Sequence, residues 1–222
     1  MDDLFTVDAN DDIFQKIDLD DDFLATVEEI LNRVIAGGKK EKINLNEHAQ
    51  QKVVEFAKKE LNAFLENIPA GLEKEHGFNK RAEFAKAVPG SIYTIVGLNN
   101  QGQVFATNVY NVVVTVNGEY RSMLTVSLSN GIYKIETVGA ALLAKELQVI
   151  ENRQTSANSS EKIMLNVYEK KCGFVAYKPA GTTIENAVFT PLESAKIALN
   201  TTTGKTKGTT YKVNEIKRIL FN

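Results

Sequence analysis

At Gly90 the apolar spacing of this chain changes from about 3.6 residues to 2, so the helices it encodes come first and a sheet follows. Upstream, Phe23, Leu24, Val27, Ile30, Leu31, Val34 and Ile35 form one helical stripe. Asp20, Asp21 and Asp22 suit its positive end, and Gly37-Gly38 ends it. A second helix starts at Asn44 and Glu47, a variant of the capping box. It continues through Val53, Val54, Ala57, Leu61, Phe64, Leu65 and Ile68 and stops at Pro69 and Gly71. A third, short helix is predicted over residues 79 to 88, with Phe84 and Val88 facing inward and Pro89-Gly90 ending it.

Downstream, β-branched and aromatic residues predict strands at 92 to 98, 103 to 116, 119 to 128 and 132 to 138. Asn117-Gly118 is the pair a two-residue type I′ hairpin prefers, and residues 99 to 102 and 129 to 131 supply the other turns of an antiparallel meander. Alternation puts Tyr120, Ser122, Leu124 and Val126 on the face toward the core, with Glu119, Arg121, Met123 and Thr125 on the other. Residues 139 to 147 read as a short helix and 154 to 160 as a loop. Further strands are expected at 163 to 169, 174 to 178, 184 to 189, 208 to 213 and 216 to 221, and residues 192 to 199 fit strand or helix. The fold class is α+β: an acidic N-terminal arm (1 to 19), a small helical module (20 to 90) and a mostly antiparallel β domain (91 to 222) built as a meander, sandwich or small barrel.

With 222 residues and 43% hydrophobic content, the chain is long enough for one well-buried core. Its longest apolar runs, 112 to 116 and 138 to 143, fall far short of the roughly 20 residues that span a bilayer, so no membrane association is expected. Asp2 and Asp3 stand where a secretory signal carries positive charge, which points to synthesis in the cytoplasm without a signal peptide. Cys172 is the single cysteine and has no internal disulfide partner. The glycosylation-like triplets at Asn158 and Asn200 are then coincidental.

Charge is divided unevenly. Every aspartate lies between Asp2 and Asp22; residues 1 to 31 hold 11 acids and one base, Lys16, and the remainder 25 bases and 17 acids, so a formal total of −2 conceals about −10 and +8. Such a division favours salt-dependent docking of the acidic segment on a basic surface. Phe5, Val7, Ile13 and Phe14 are apolar anchors for that docking, with Asp2, Asp3, Asp8, Asp11 and Asp12 as charge partners. Extended, 17 residues reach roughly 55 Å, enough to cross a neighbouring subunit.

Reactive motifs are weak by comparison. Asp18, Asp20, Asp22 and Glu29 fall at ligand positions of a calcium loop, but Phe23 replaces the glycine that makes its turn, and a helix start explains the same acids. Gly204-Lys205-Thr206 copies the end of a phosphate-binding loop whose upstream glycine is Leu199 here. His48 and His76 lack metal-ligand spacing and read as solvated positions. Lys170 and Lys171 precede Cys172 and would lower its pKa, yet no histidine stands near it in sequence. No enzyme, metal or cofactor is expected.

Residues 161 to 222 contain ten bases and five acids, with Tyr168, Phe174, Tyr177 and Tyr211 interleaved among them. Bases tracking phosphates and aromatics stacking on nucleobases are what a single-strand nucleic-acid binder on an OB-like barrel needs, with Lys170, Lys171, Lys205, Lys207 and Arg218 as phosphate contacts and the acidic arm as a mask. The other reading of the same pattern is packing aromatics and solubilising lysines.

The Lys/Asn/Glu/Thr/Ile-rich usage, the absence of tryptophan, the acidic Met1-Asp-Asp-Leu-Phe-Thr-Val start and the Val112-Val-Val-Thr-Val-Asn-Gly118 meander resemble structural proteins of tailed bacteriophages, in particular the crAss-like group. The resemblance covers the general character of the chain and carries no functional residue over. It implies a capsid-associated or head-to-tail connector component of a virion, non-enzymatic, with other protein subunits as partners in a homo- or hetero-oligomeric assembly.

Overall fold

The computed structural model describes residues 47 to 153, 160 to 179, 183 to 203 and 210 to 221, and the chain divides into Met1–Gly38 and Lys39–Asn222. The docking arm, the stripe from Phe23 to Ile35, the calcium-loop acids and the segment holding Lys205 and Lys207 lie outside the described residues.

Seven strands make one open sheet: β1 (Ala87–Leu98), β2 (Val104–Val116), β3 (Glu119–Ser129), β4 (Ile132–Gly139), β5 (Ser160–Val167), β6 (Cys172–Pro179) and β7 (Phe189–Pro191), in the order β4-β3-β2-β1-β5-β6-β7. All neighbours are antiparallel except β1 and β5. The α+β class holds, with the meander as half of a sheet that, among the described residues, neither closes into a barrel nor folds into a sandwich. Asn117 and Gly118 have φ of 53° and 81°, the positive values their hairpin requires.

Helix α1 (Glu47–Glu66) buries Val53, Ala57, Leu61 and Leu65, one residue per turn, against Ile92, Tyr110, Val112, Val114, Leu124 and Val126. α1 and the sheet therefore share a core, and residue 90 lies inside β1 and is no boundary between them. α3 (Glu193–Thr203) and α4 (Val213–Phe221) cover the same sheet face farther along, where Val96, Leu98, Ile163, Leu165 and Phe174 meet Ala195, Leu199, Ile216 and Leu220. α2 (Ala141–Asn152) crosses the opposite face over β3 and links edge strand β4 to β5 in the middle of the sheet.

Several expectations are corrected. Residues 81 to 86 form only a 3-10 turn; Phe84 is buried as expected, but Val88, expected inward, is exposed in β1. Pro89 and Gly90 belong to that strand. Pro89 pairs with Val114 beside an irregularity, and β5 joins β1 only at Thr94, so proline's missing N–H removes no bond to a second neighbour. Between Ser122 and Tyr120 the register slips by one, leaving Arg121 as a bulge, and Tyr120 points to the α2 face instead of the face of Leu124 and Val126. Met123 and Thr125, expected away from the core, are buried too, because the sheet is covered on both faces. Residues 193 to 199 are helical, within α3, and Leu192 immediately precedes that helix. The strand expected at 184 to 189 is a 3-10 turn entering the three-residue β7, and among the described residues of the strand expected at 208 to 213 only Tyr211 bridges, to Phe189. The strand expected at 216 to 221 is helix α4: Val213, Ile216 and Leu220 are spaced i, i+3, i+7, which a helix buries on one side and a strand does not.

Candidate functional site

The densest polar constellation lies on the α2 face and is built from five elements. Glu151, in the last turn of α2, reaches Ser91 and Tyr93 of β1, Tyr120 of β3 and Lys162 of β5, and Tyr177 of β6 closes the group. Its Oε2 accepts from Tyr120 Oη at 2.8 Å, Lys162 Nζ at 2.9 Å and Ser91 Oγ at 3.0 Å, and its Oε1 accepts from Tyr93 Oη. Lys162 Nζ also donates to Ser91 Oγ at 2.6 Å, and the phenols of Tyr93 and Tyr177 meet at 3.2 Å.

Alternation explains who meets whom. Ser91 and Tyr93 are two apart in β1, Lys162 and Tyr177 are cross-strand partners, and the Arg121 bulge turns Tyr120 to join them. Burial alone would raise the Glu151 carboxyl, but hydrogen bonds from Lys162, Tyr93 and Tyr120 hold it below its ordinary range. Burial, next to the same carboxylate, pushes the Tyr120 phenol up to about 12 and those of Tyr93 and Tyr177 upward as well. All three stay protonated donors. Lys162 Nζ contacts the Glu151 carboxylate as well as Ser91 Oγ, so the amine that a lysine-activated serine would need as a base is engaged in an ion pair here. Chemically the cluster is a closed ion pair that ties α2 to four strands.

A second polar region lies where β1 turns into β2 and β5 into β6. Lys170 Nζ sits 5.7 Å from the centre of the Phe221 ring, and Lys217, one turn before Phe221, runs across Gly102 so closely that a Cβ there would meet its Cδ at 2.1 Å. Lys170 and Lys171 on the turn and Arg218 beside Lys217 are exposed. Three of the five expected phosphate contacts, Lys170, Lys171 and Arg218, thus gather at one end of the sheet. Glu169 Oε1 accepts from the Asn100 amide at 3.3 Å in the same place.

The chain matches no protein-family model, no curated protein and no solved structure. Among the described residues no helix is long and apolar enough to cross a membrane, and no group of three His, Cys, Asp or Glu could hold a metal ion.

Other expected site residues have structural work. Phe174 and Tyr211 are buried, ring to ring at 6.5 Å, and Tyr177 belongs to the Glu151 cluster, so none presents a free face for a nucleobase. Tyr168 is half-buried against Phe105, 6.5 Å between ring centres. Lys178 is 3% exposed and pairs with Glu161 at 2.7 Å, which takes it off the surface. Cys172 is buried, and burial pushes its thiol up to about 12 against the smaller opposing pull of Lys170; it is inert, contrary to the lowered pKa its neighbours suggested. His76, expected in solvent, is half-buried with Nδ1 2.8 Å from the Val138 carbonyl. The Glu151 cluster escaped sequence reasoning because its hydrogen-bonded pairs lie 11 to 84 residues apart; two hydroxyls at alternating positions in β1 were the only local hint.

Proposed function

We propose that this chain is a non-enzymatic structural protein of an assembly, a virion component in keeping with its resemblance to tailed-phage structural proteins, whose acidic segment clasps a neighbouring subunit. The observation that carries the reading is the charge division: about −10 in residues 1 to 31 and about +8 in the rest. Like charges crowded into one segment repel each other, and a basic protein surface relieves that repulsion while burying Phe5, Val7, Ile13 and Phe14. A body whose main polar cluster is internally satisfied, as around Glu151, suits a scaffold better than a catalyst. Deleting residues 1 to 17 tests the proposal. The truncated protein should keep the circular-dichroism spectrum of its β domain and assemble more weakly by sedimentation; undiminished assembly would refute it.

Single-strand nucleic-acid binding is the second reading, and the observation favouring it is the grouping of Lys170, Lys171 and Arg218 at one end of the sheet. It requires oligonucleotide affinity that falls steeply with salt and rises when residues 1 to 17 are removed. No detectable binding at low salt by either protein would eliminate it.

A further inference from the structure

We infer that the end of the sheet formed by the β1–β2 loop, the β5–β6 turn and the C-terminal half of α4 is the seat for the acidic segment of a second copy of this chain. The inference rests on the assembly reading above and adds the receiving surface. Lys170 meets Phe221 and Lys217 crosses Gly102 there, with the exposed Lys171 and Arg218 next to them in the chain, and Glu169 is turned toward the Asn100 amide. The positions are fixed by packing. Lys171 has φ of 48°, its N–H donates to the Tyr168 carbonyl at 2.9 Å, the Lys170 ammonium lies over the Phe221 ring, and Lys217 is laid along Gly102, itself at φ +72°. Cations ordered before a ligand arrives lose little side-chain freedom on binding.

The seat is also partly apolar. Phe221 is half-buried under Lys170, while Tyr168, two residues before Lys170, is half-buried against Phe105 of β2 on the sheet face of Gly97, away from α4. Phe105 covers Gly97 so tightly that a Cβ there would lie 2.1 Å from the ring, and Tyr168 leans on Phe105 at 30°. These ring faces are already taken by the protein, so what remains suits aliphatic and aromatic side chains packing alongside better than a nucleobase sliding between. An occupant with closely spaced carboxylates and interspersed apolar groups matches this surface, and residues 1 to 22, with nine aspartates among Phe5, Val7, Ile13 and Phe14, have that composition. Every second copy brings one such segment, so segment and seat are present in equal number.

The test uses the full-length chain in sedimentation velocity at low and high salt. Wild-type protein should self-associate at low salt. Reversing the seat with Lys170→Glu, Lys171→Glu and Arg218→Glu, or neutralising it with Lys170→Gln and Lys171→Gln, should weaken that association, the reversal by roughly tenfold or more, because like charges then face each other. Mixing the reversed-seat protein with one carrying Asp2→Lys, Asp3→Lys, Asp8→Lys, Asp11→Lys and Asp12→Lys should restore association that neither shows alone. Self-association unchanged by both seat variants but lost on deleting residues 1 to 17 would overturn the seat while sparing the assembly reading. A wild-type monomer at all salts, or assembly indifferent to that deletion, would overturn both. Seat variants that lose binding to a single-stranded oligonucleotide yet associate normally would assign the surface to nucleic acid and overturn the inference.

Discussion

The Glu151 cluster and the basic sheet end both concentrate charge, but one is closed and the other open. Around Glu151 each charged group faces its opposite at hydrogen-bond distance, with side chains only 12% and 16% exposed for Glu151 and Lys162. At the sheet end Lys170, Lys171 and Arg218 are exposed and outnumber the carboxylates beside them. A satisfied, buried network holds a fold together, whereas an unbalanced surface cluster has charge to offer a partner.

Mutations in the two regions should therefore differ in kind. The largest effect is expected from Glu151→Ala, which strands Lys162 without a counter-charge and three hydroxyls without their acceptor; it should cost about 3 kcal/mol in urea unfolding at unchanged m-value. A loss no larger than that of a surface substitution would show that the cluster holds nothing. Tyr93→Phe keeps the buried ring, 0% exposed, and removes the bond to the carboxylate, so about 2 kcal/mol should be lost.

Acidification probes the same pair. Because the folded Glu151 pKa is depressed, its contribution is complete above the ordinary value of 4.5 and is lost as pH falls through the lower folded value. Glu151→Gln should accordingly be less stable than wild type at neutral pH, with the gap narrowing in acid; a gap that widened in acid would contradict the assigned sign. The smallest stability change belongs to the basic end. Lys170→Gln, Lys171→Gln and Arg218→Gln should each stay within about 0.5 kcal/mol of wild type. A loss of a full kcal/mol at any of them would erase the contrast.

Legibility followed the range of the signal. α1 and the four-strand meander were readable because each element carries its own period and its own turn residues, such as Asn117-Gly118. α4 was misread although Val213, Ile216 and Leu220 spell a helix, because the β pattern upstream was carried forward onto a nine-residue segment. The slip at Arg121 was invisible for a different reason. A bulge depends on the partner strand, and nothing within β3 marks where its alternation breaks. Three of the four cations at the basic end were legible as composition, since Lys170, Lys171 and Arg218 stood out as bases. Their convergence needed the fold, because α4 had to be a helix for Lys217 and Phe221 to reach the loops. The Glu151 cluster, assembled from five elements, left only the alternating hydroxyls of Ser91 and Tyr93 to read.

The unlike neighbours of β1 carry a consequence for how the chain is made. Its antiparallel partner β2 follows directly, but its parallel partner β5 arrives only after β3, β4 and α2 have been synthesised. On the ribosome the meander can close while the far flank of β1, around Ile95 and Val96, still waits for Met164 and Leu165. That flank stays unpaired until β5 has been synthesised, and an unpaired strand edge is a template for a misplaced strand.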